Sequence, residues 1–268
     1  MYKIKNYEFE SFKLVAHMHH SNYAVLVNYP YDGIKYCPHL DFEDEFFILK
    51  KLEHKQIPKA HEFGREMMYN DGKEVLTQNF IVLDHLSNTD FMGYFKGETI
   101  EEVTKNLDVI KECFISACDP LSYLHSKGYV HTDIKPGHLM LDPASNTVFL
   151  IDFELVIENH TLIKGISKDY ASPEHEELVK QLRDADEKYL DAIAEDIAID
   201  GRSDIFSLGA IMFEILTQKK WAETKTAIKN LNNLIPPNLE KLIMSTLEED
   251  PANRIGSIAE LKQELLRI

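Results

Sequence analysis

The sequence predicts an α+β protein, β-rich in its first third and helical in the remainder. Three observations carry that reading. Short apolar runs set off by polar residues stand at Phe12-Lys13-Leu14-Val15, Tyr23-Ala24-Val25-Leu26-Val27 and Asn79-Phe80-Ile81-Val82-Leu83, the pattern of strands. Apolar residues at alternating spacings of four and three run from Val103 through Leu107, Ile110, Phe114, Ala117 and Leu121 to Leu124, one stripe of a long amphipathic helix. Ile205 to Leu216 is apolar almost all round, which marks a helix buried inside a larger body.

Taken in order, the strands over residues 9 to 35 include a turn at Tyr31-Asp32-Gly33, and Asp41 to Glu53 has helical periodicity through Phe42, Phe46, Leu49 and Leu52. The strand at 79–83 leads into a polar stretch from Asp84 to Asp90. Pro120 interrupts the long stripe and removes a helical hydrogen bond, so the helix is expected to kink, or to restart with Asp119 as N-cap and Pro120 in the first position, before ending at Gly128. From Pro236 to Ile268, helical patterns flank the breaker Asp250-Pro251 and read as closing helices.

Composition narrows the function classes. The 268 residues are 44% hydrophobic and 28% charged, the balance of a globular chain with a sizeable core, and no linker-like run divides them. A formal net charge of −16 disfavours nucleic acid as a partner and steers basic proteins or peptides more readily than acidic ones. No apolar run reaches the roughly 18 residues of a membrane span, and the start Met-Tyr-Lys-Ile-Lys-Asn-Tyr-Glu has no signal-peptide core, so a cytosol, its own or a host's, is the expected compartment. Cys37, Cys113 and Cys118 have neither paired count nor metal-ligand spacing and read as free thiols.

The chemistry concentrates between Tyr129 and Glu154. Tyr-Val-His-Thr-Asp-Ile-Lys-Pro-Gly-His-Leu-Met-Leu-Asp is followed by Ile-Asp-Phe-Glu, and this stretch resembles the catalytic and metal-binding loops of the protein kinase superfamily, usually H-R-D-x-K-x-x-N and D-F-G. Ser172-Pro173-Glu174 is similar to the Ala-Pro-Glu motif that ends the activation segment. Arg202-Ser203-Asp204-Ile205-Phe206-Ser207-Leu208-Gly209 is similar to the Asp-x-Trp-Ser-x-Gly helix start, and Asp250-Pro251-Ala252-Asn253-Arg254 to the late Asp-Pro-x-x-Arg element. Four motifs in the family's order cover about half the chain.

The resemblance implies a bilobal fold with a small β-rich lobe at about 1–84, a hinge at about 84–88 that includes Asp84 and Leu86, and a larger helical lobe at about 89–268. It implies ATP and magnesium, or manganese, bound between the lobes. Asp133 would accept the proton of a protein substrate's hydroxyl, Lys135 would neutralise the transferring phosphate, and Asp152 would hold the metal. Lys35 in Gly-Ile-Lys-Tyr is the candidate for the strand lysine paired with a helix glutamate, here Glu45, although Lys13 competes for the role and only ten residues separate Lys35 from Glu45. The resemblance also implies a buried ion pair between Glu174 and Arg254.

Departures from the pattern bear on activity. No glycine-rich phosphate loop precedes Lys35; the equivalent segment carries His17, His19 and His20, which read as an exposed turn, a phosphate contact or a metal site. His138 replaces the family's metal-binding asparagine and either only braces the loop or ligates a softer ion such as manganese. Glu154 replaces a glycine and adds a carboxylate beside Asp152 that either coordinates the ion or faces solvent. Thr132 replaces the arginine that reads a phosphorylated activation segment, so activity should not depend strongly on such phosphorylation. The acidic stretch from 175 to 203 reads as a solvated helical insertion or a docking surface for a basic partner. The expected function is ATP-dependent Ser/Thr protein phosphorylation. The alternatives are a pseudokinase that binds nucleotide or acts as a scaffold, and a kinase-fold enzyme that acts on a small molecule or transfers a nucleotide.

Overall fold

The computed structural model describes residues 1–9, 22–27, 32–86, 89–95, 99–159, 161–184 and 199–268. They form two compact units, Met1–Asn88 with Ile151–Glu154, and Thr89–Leu150 with Leu155–Ile268. The α+β class holds, with a sheet in the first unit and mostly helices in the second.

In the first unit, strands β1 (Tyr2–Ile4), β2 (Tyr7–Phe9), β3 (Asn22–Val25), β4 (Asp32–Cys37), β5 (Ala60–Asn70) and β6 (Lys73–Asp84) make one antiparallel sheet in the order β2-β1-β5-β6-β4-β3. Ile34 and Tyr36 of β4 join Ile4, Phe9, Ala24, Leu26, Met68, Phe80 and Val82 in one apolar cluster. Side chains alternate along a strand, so Lys35 points to the opposite face. Helix α1 (Glu43–Lys51) has acidic residues in its first turn and lysines in its last, both favourable to its dipole. Phe46 packs against Phe63 of β5 with ring centroids 4.7 Å apart and the rings tilted by 37°, which anchors the helix to the sheet. The expected turn at 31–33 is corrected in part: Asp32 and Gly33 already belong to β4, paired with Asp84 and Leu83 of β6. The expected strand at 12–15, together with Lys13, His17, His19 and His20, lies outside the described residues.

The second unit starts with strand β7 (Thr89–Asp90) and helices α2 (Phe91–Phe95), α3 (Ile100–Lys105) and α4 (Leu107–Ser126). The helix is broken at Asn106 and not at Pro120. Thr99 and Glu102 form a reciprocal capping box that gives α3 its own start, whereas α4 continues through Pro120. Asp119 does not cap a new helix, because its carboxylate pairs with Lys262. Gly128, at φ +81°, follows α4 in the left-handed conformation that glycine adopts without penalty.

Strand β8 (Tyr129–Val130) enters the motif loop, and β9 (Leu139–Asp142) and β10 (Thr147–Leu150) form a hairpin after it. Strand β11 (Ile157–Glu158) pairs with β8. Helix α5 (Pro173–Asp184) precedes α6 (Gly201–Thr217), whose residues from Ser203 to Phe213 are all buried, as the sequence predicts. Asp200 caps α6 by accepting from the Arg202 amide. A Cβ on Gly209 would stand 1.8 Å from Thr246 Oγ1, so only glycine permits this close packing of α6. Helices α7 (Trp221–Thr224), α8 (Pro237–Thr246) and α9 (Ile258–Arg267) close the chain; Ile258, Leu261 and Leu265 of α9 are buried. Among the described residues no helix is long and apolar enough to cross a membrane.

Candidate active site

Two constellations carry the polar chemistry, one in each unit. The first is built on Lys35, which is fully buried on β4. Its Nζ donates to Asp152 Oδ1 at 2.7 Å, Glu45 Oε2 at 3.0 Å and Glu154 Oε2 at 3.3 Å, and lies 5.3 Å from the Phe42 ring centroid. The other oxygen of Glu45 accepts from the Phe153 amide at 3.2 Å, which ties α1 to the segment 151–154. Burial alone would lower the lysine pKa, but Asp152, Glu45 and Glu154 outweigh it and hold the ammonium well above the ordinary range. Burial pushes the Glu45 carboxyl up, against the pull of Lys35. Asp152 has φ +64°, a strained region for a residue with a side chain, which fits a carboxylate held in place by its partners.

Glu45, Asp152 and Glu154 each offer a carboxylate oxygen, all within 4.8 Å of one another. Carboxylate oxygens are the hard donors that magnesium and manganese take, so this donor set fits a divalent cation.

The second constellation lies on the loop after β8. Asp204 is fully buried at the start of α6 and accepts from the amides of His131 at 2.8 Å and Thr132 at 2.9 Å, and it contacts His125 Nε2 at 2.8 Å. These bonds fix the backbone just before Asp133, where Thr132 has φ +63° and donates its hydroxyl to the Leu155 carbonyl. Lys135 Nζ then reaches Asp133 Oδ2 at 2.8 Å and Ser167 Oγ at 3.3 Å. His138 donates from Nδ1 to the Asp133 carbonyl at 2.9 Å, and its ring lies 3.5 Å from the Asp133 carboxylate. Burial would raise the Asp133 pKa, yet the His138 ring and the Lys135 ammonium overcome it and hold the carboxyl below the usual range. An ionised Asp133 is the form able to accept a proton.

The sequence-predicted residues therefore assemble as two groups: Lys35, Glu45, Asp152 and Glu154 in one, and Asp133, Lys135 and His138 in the other. Asp84 ends β6 with its carboxylate engaged by His61 Nε2 at 2.7 Å and by the Lys59 amide at 2.9 Å; half-buried Leu86 follows two residues later. Sequence reasoning missed Ser167, whose hydroxyl meets Lys135. The available signal was its position seven residues before Glu174, within the segment that the Ser-Pro-Glu motif closes. It also missed His175, fully buried beside Glu174, whose Nε2 donates to the Gly165 carbonyl at 2.9 Å. The three cysteines are free and buried, and burial pushes the thiols of Cys113 and Cys118 up to about 12.

Comparisons with known proteins agree with this geometry. Residues 32–266 match the family model described as "Protein kinase domain". A putative serine/threonine-protein kinase of Acanthamoeba polyphaga mimivirus is 31% identical over 232 residues, 80% of this chain and 74% of that protein. The serine/threonine-protein kinase PknB of Mycobacterium leprae is 25% identical over 203 residues, 66% of this chain. A probable serine/threonine-protein kinase of Clostridium acetobutylicum is 25% identical over 257 residues, 88% of this chain. The chain spans 30% of the length of the mycobacterial relative and 36% of the clostridial one.

Proposed function

The chain belongs to the protein kinase family, and on that premise we propose that it transfers the γ-phosphate of ATP to a serine or threonine hydroxyl of a protein. The observation that carries the reading is the low-pKa Asp133 carboxylate paired with Lys135, with Ser167 beside the lysine. In this role Asp133 orients the attacking hydroxyl and takes its proton, while Lys135 offsets charge on the transferring phosphoryl oxygens. A divalent cation, when bound, neutralises nucleotide phosphate charge, and Asp152 with Glu154 would hold it. Lys35, oriented by Glu45, contacts the phosphates, and the stretch from Asp84 to Leu86 meets the base. His138 would complete the metal contacts of the catalytic loop. Catalysis rests on positioning and on fixed charge.

The reading fits one domain over 1–268, divided at about 84–88, and a basic protein substrate drawn by the net charge of −16. Buried reduced thiols fit a cytosolic setting. Retention of five charged groups that a scaffold does not need favours an enzyme over a pseudokinase. The test is transfer of a γ-labelled phosphate to a basic protein substrate, in magnesium and separately in manganese. Asp133→Ala should slow transfer by roughly 10²- to 10⁴-fold, and Asp152→Ala should lose transfer in either metal. Wild-type turnover in the Asp133 variant sinks the assignment.

A further inference from the structure

The Lys35 ammonium has three N–H donors, and three carboxylates already take them. A nucleotide phosphate can receive a bond from Lys35 only if one of the three leaves. The partners are not equally held. Asp152 is the closest, at 2.7 Å, and only 9% of its side chain is exposed; Glu45 is 1% exposed and also accepts from the Phe153 amide. Glu154 has the longest contact, at 3.3 Å, and a side chain 26% exposed, and among the described residues no second hydrogen bond holds its carboxylate.

We propose that Glu154 is an internal anion that occupies the phosphate-binding N–H of Lys35 and must be displaced for nucleotide to bind. The proposal rests on the reading of Lys35 as a phosphate contact. Glycine, the family's residue at this position, can offer no such competitor. Charge adds to the effect. One ammonium faces three carboxylates, so the cluster is net negative and repels a triphosphate until a divalent cation compensates it. A cation held by Glu154 together with Asp152 would compete with Lys35 for the Glu154 carboxylate and so leave that N–H to a phosphate. Glu154 thereby makes nucleotide binding conditional on metal and sets the steepness of that coupling.

The test is equilibrium binding of a fluorescent ATP analogue, read by anisotropy, in chelator and across a magnesium titration. The proteins compared are the wild type, Glu154→Gln, Glu154→Gly and Lys35→Met, each first checked for an unchanged melting profile. Removing the carboxylate charge should tighten binding in chelator by roughly 3- to 30-fold, with the difference shrinking as magnesium saturates. Glu154→Gly should behave as Glu154→Gln does, which separates charge from the loss of a side chain. Equal affinities of wild type and both Glu154 variants in chelator, or no binding by any of them there, overturn the inference. If Lys35→Met weakens binding while the Glu154 variants match wild type, the phosphate-contact reading survives and only the competitor falls. If Lys35→Met leaves binding unchanged, both fall together.

Discussion

Arg254 and Glu174, eighty residues apart in sequence, form a two-pronged ion pair in which Nη1 meets Oε1 at 2.8 Å and Nη2 meets Oε2 at 3.0 Å. The arginine side chain is fully buried, and its remaining donors go to the carbonyls of Arg202 and Glu248. The guanidinium thus ties the start of α5, the start of α6 and the turn before α9 together. This is the pair that the Ser-Pro-Glu and Asp-Pro-x-x-Arg resemblance implies.

Removing one partner leaves the other as an uncompensated buried charge. Arg254→Met or Glu174→Gln alone is therefore expected to cost about 3–5 kcal/mol of stability, read as the shift of the urea midpoint at constant slope. Arg254→Lys should rescue little, because a single ammonium cannot reproduce the planar fork together with its bonds to the Arg202 and Glu248 carbonyls. The double variant Arg254→Met with Glu174→Leu should be milder than the sum of the singles. Strict additivity would show that the two side chains do not act as a pair.

His138 stands where the family uses an amide oxygen for metal, and its Nδ1 donates to the Asp133 carbonyl. That bond fixes the tautomer, with Nε2 as the nitrogen able to act as a ligand. Imidazole suits manganese better than magnesium. His138→Asn is thus expected to lower the ratio of the transfer rate in manganese to that in magnesium, by roughly tenfold if the ring ligates. An unchanged ratio, with both rates equally reduced, would assign the ring to bracing Asp133 alone.

How much of this was legible in the sequence depends on how each feature is encoded. Asp133, Lys135 and Asp152 are types fixed by chemistry at motif spacings, Lys35 and Glu45 are read by type across a short spacing, and the structure gathers the five into two groups. The helix at 201–217 was legible because burial on every side leaves a continuous apolar run. Strand β5 was not, because the polar residues His61, Glu62, Arg65 and Glu66 fall on both of its faces and hide the alternation. The boundary at Asn106 was obscured because the apolar stripe runs on in register across two helices, and Pro120 drew attention to the wrong break. Ser167 and His175 carry no signal as single residues. Their meaning comes from contacts with Lys135, 32 residues away, and Gly165, 10 residues away, that no motif records.

His175 also makes a prediction about pH. Its ring is fully buried; Nε2–H donates to the Gly165 carbonyl, and among the described residues Nδ1 has no hydrogen-bond partner. Burial lowers its pKa below the ordinary 6.5, although the Gly165 bond and the nearby carboxylates of Asp204, Glu174 and Asp133 work against the drop. The folded protein therefore binds this proton less readily than the unfolded chain does. The stabilising difference is fully present above the unfolded value and is lost as pH falls from there through the lowered native value. Over that window one proton sets a limiting slope of about 1.4 kcal/mol per pH unit. His175→Gln keeps a donor for the Gly165 carbonyl but does not titrate, so its stability should fall less than wild type's between about pH 7.5 and about pH 5.5. Comparing the two proteins cancels the other histidines. Parallel urea midpoints across that range would show that His175 does not carry the acid-side loss.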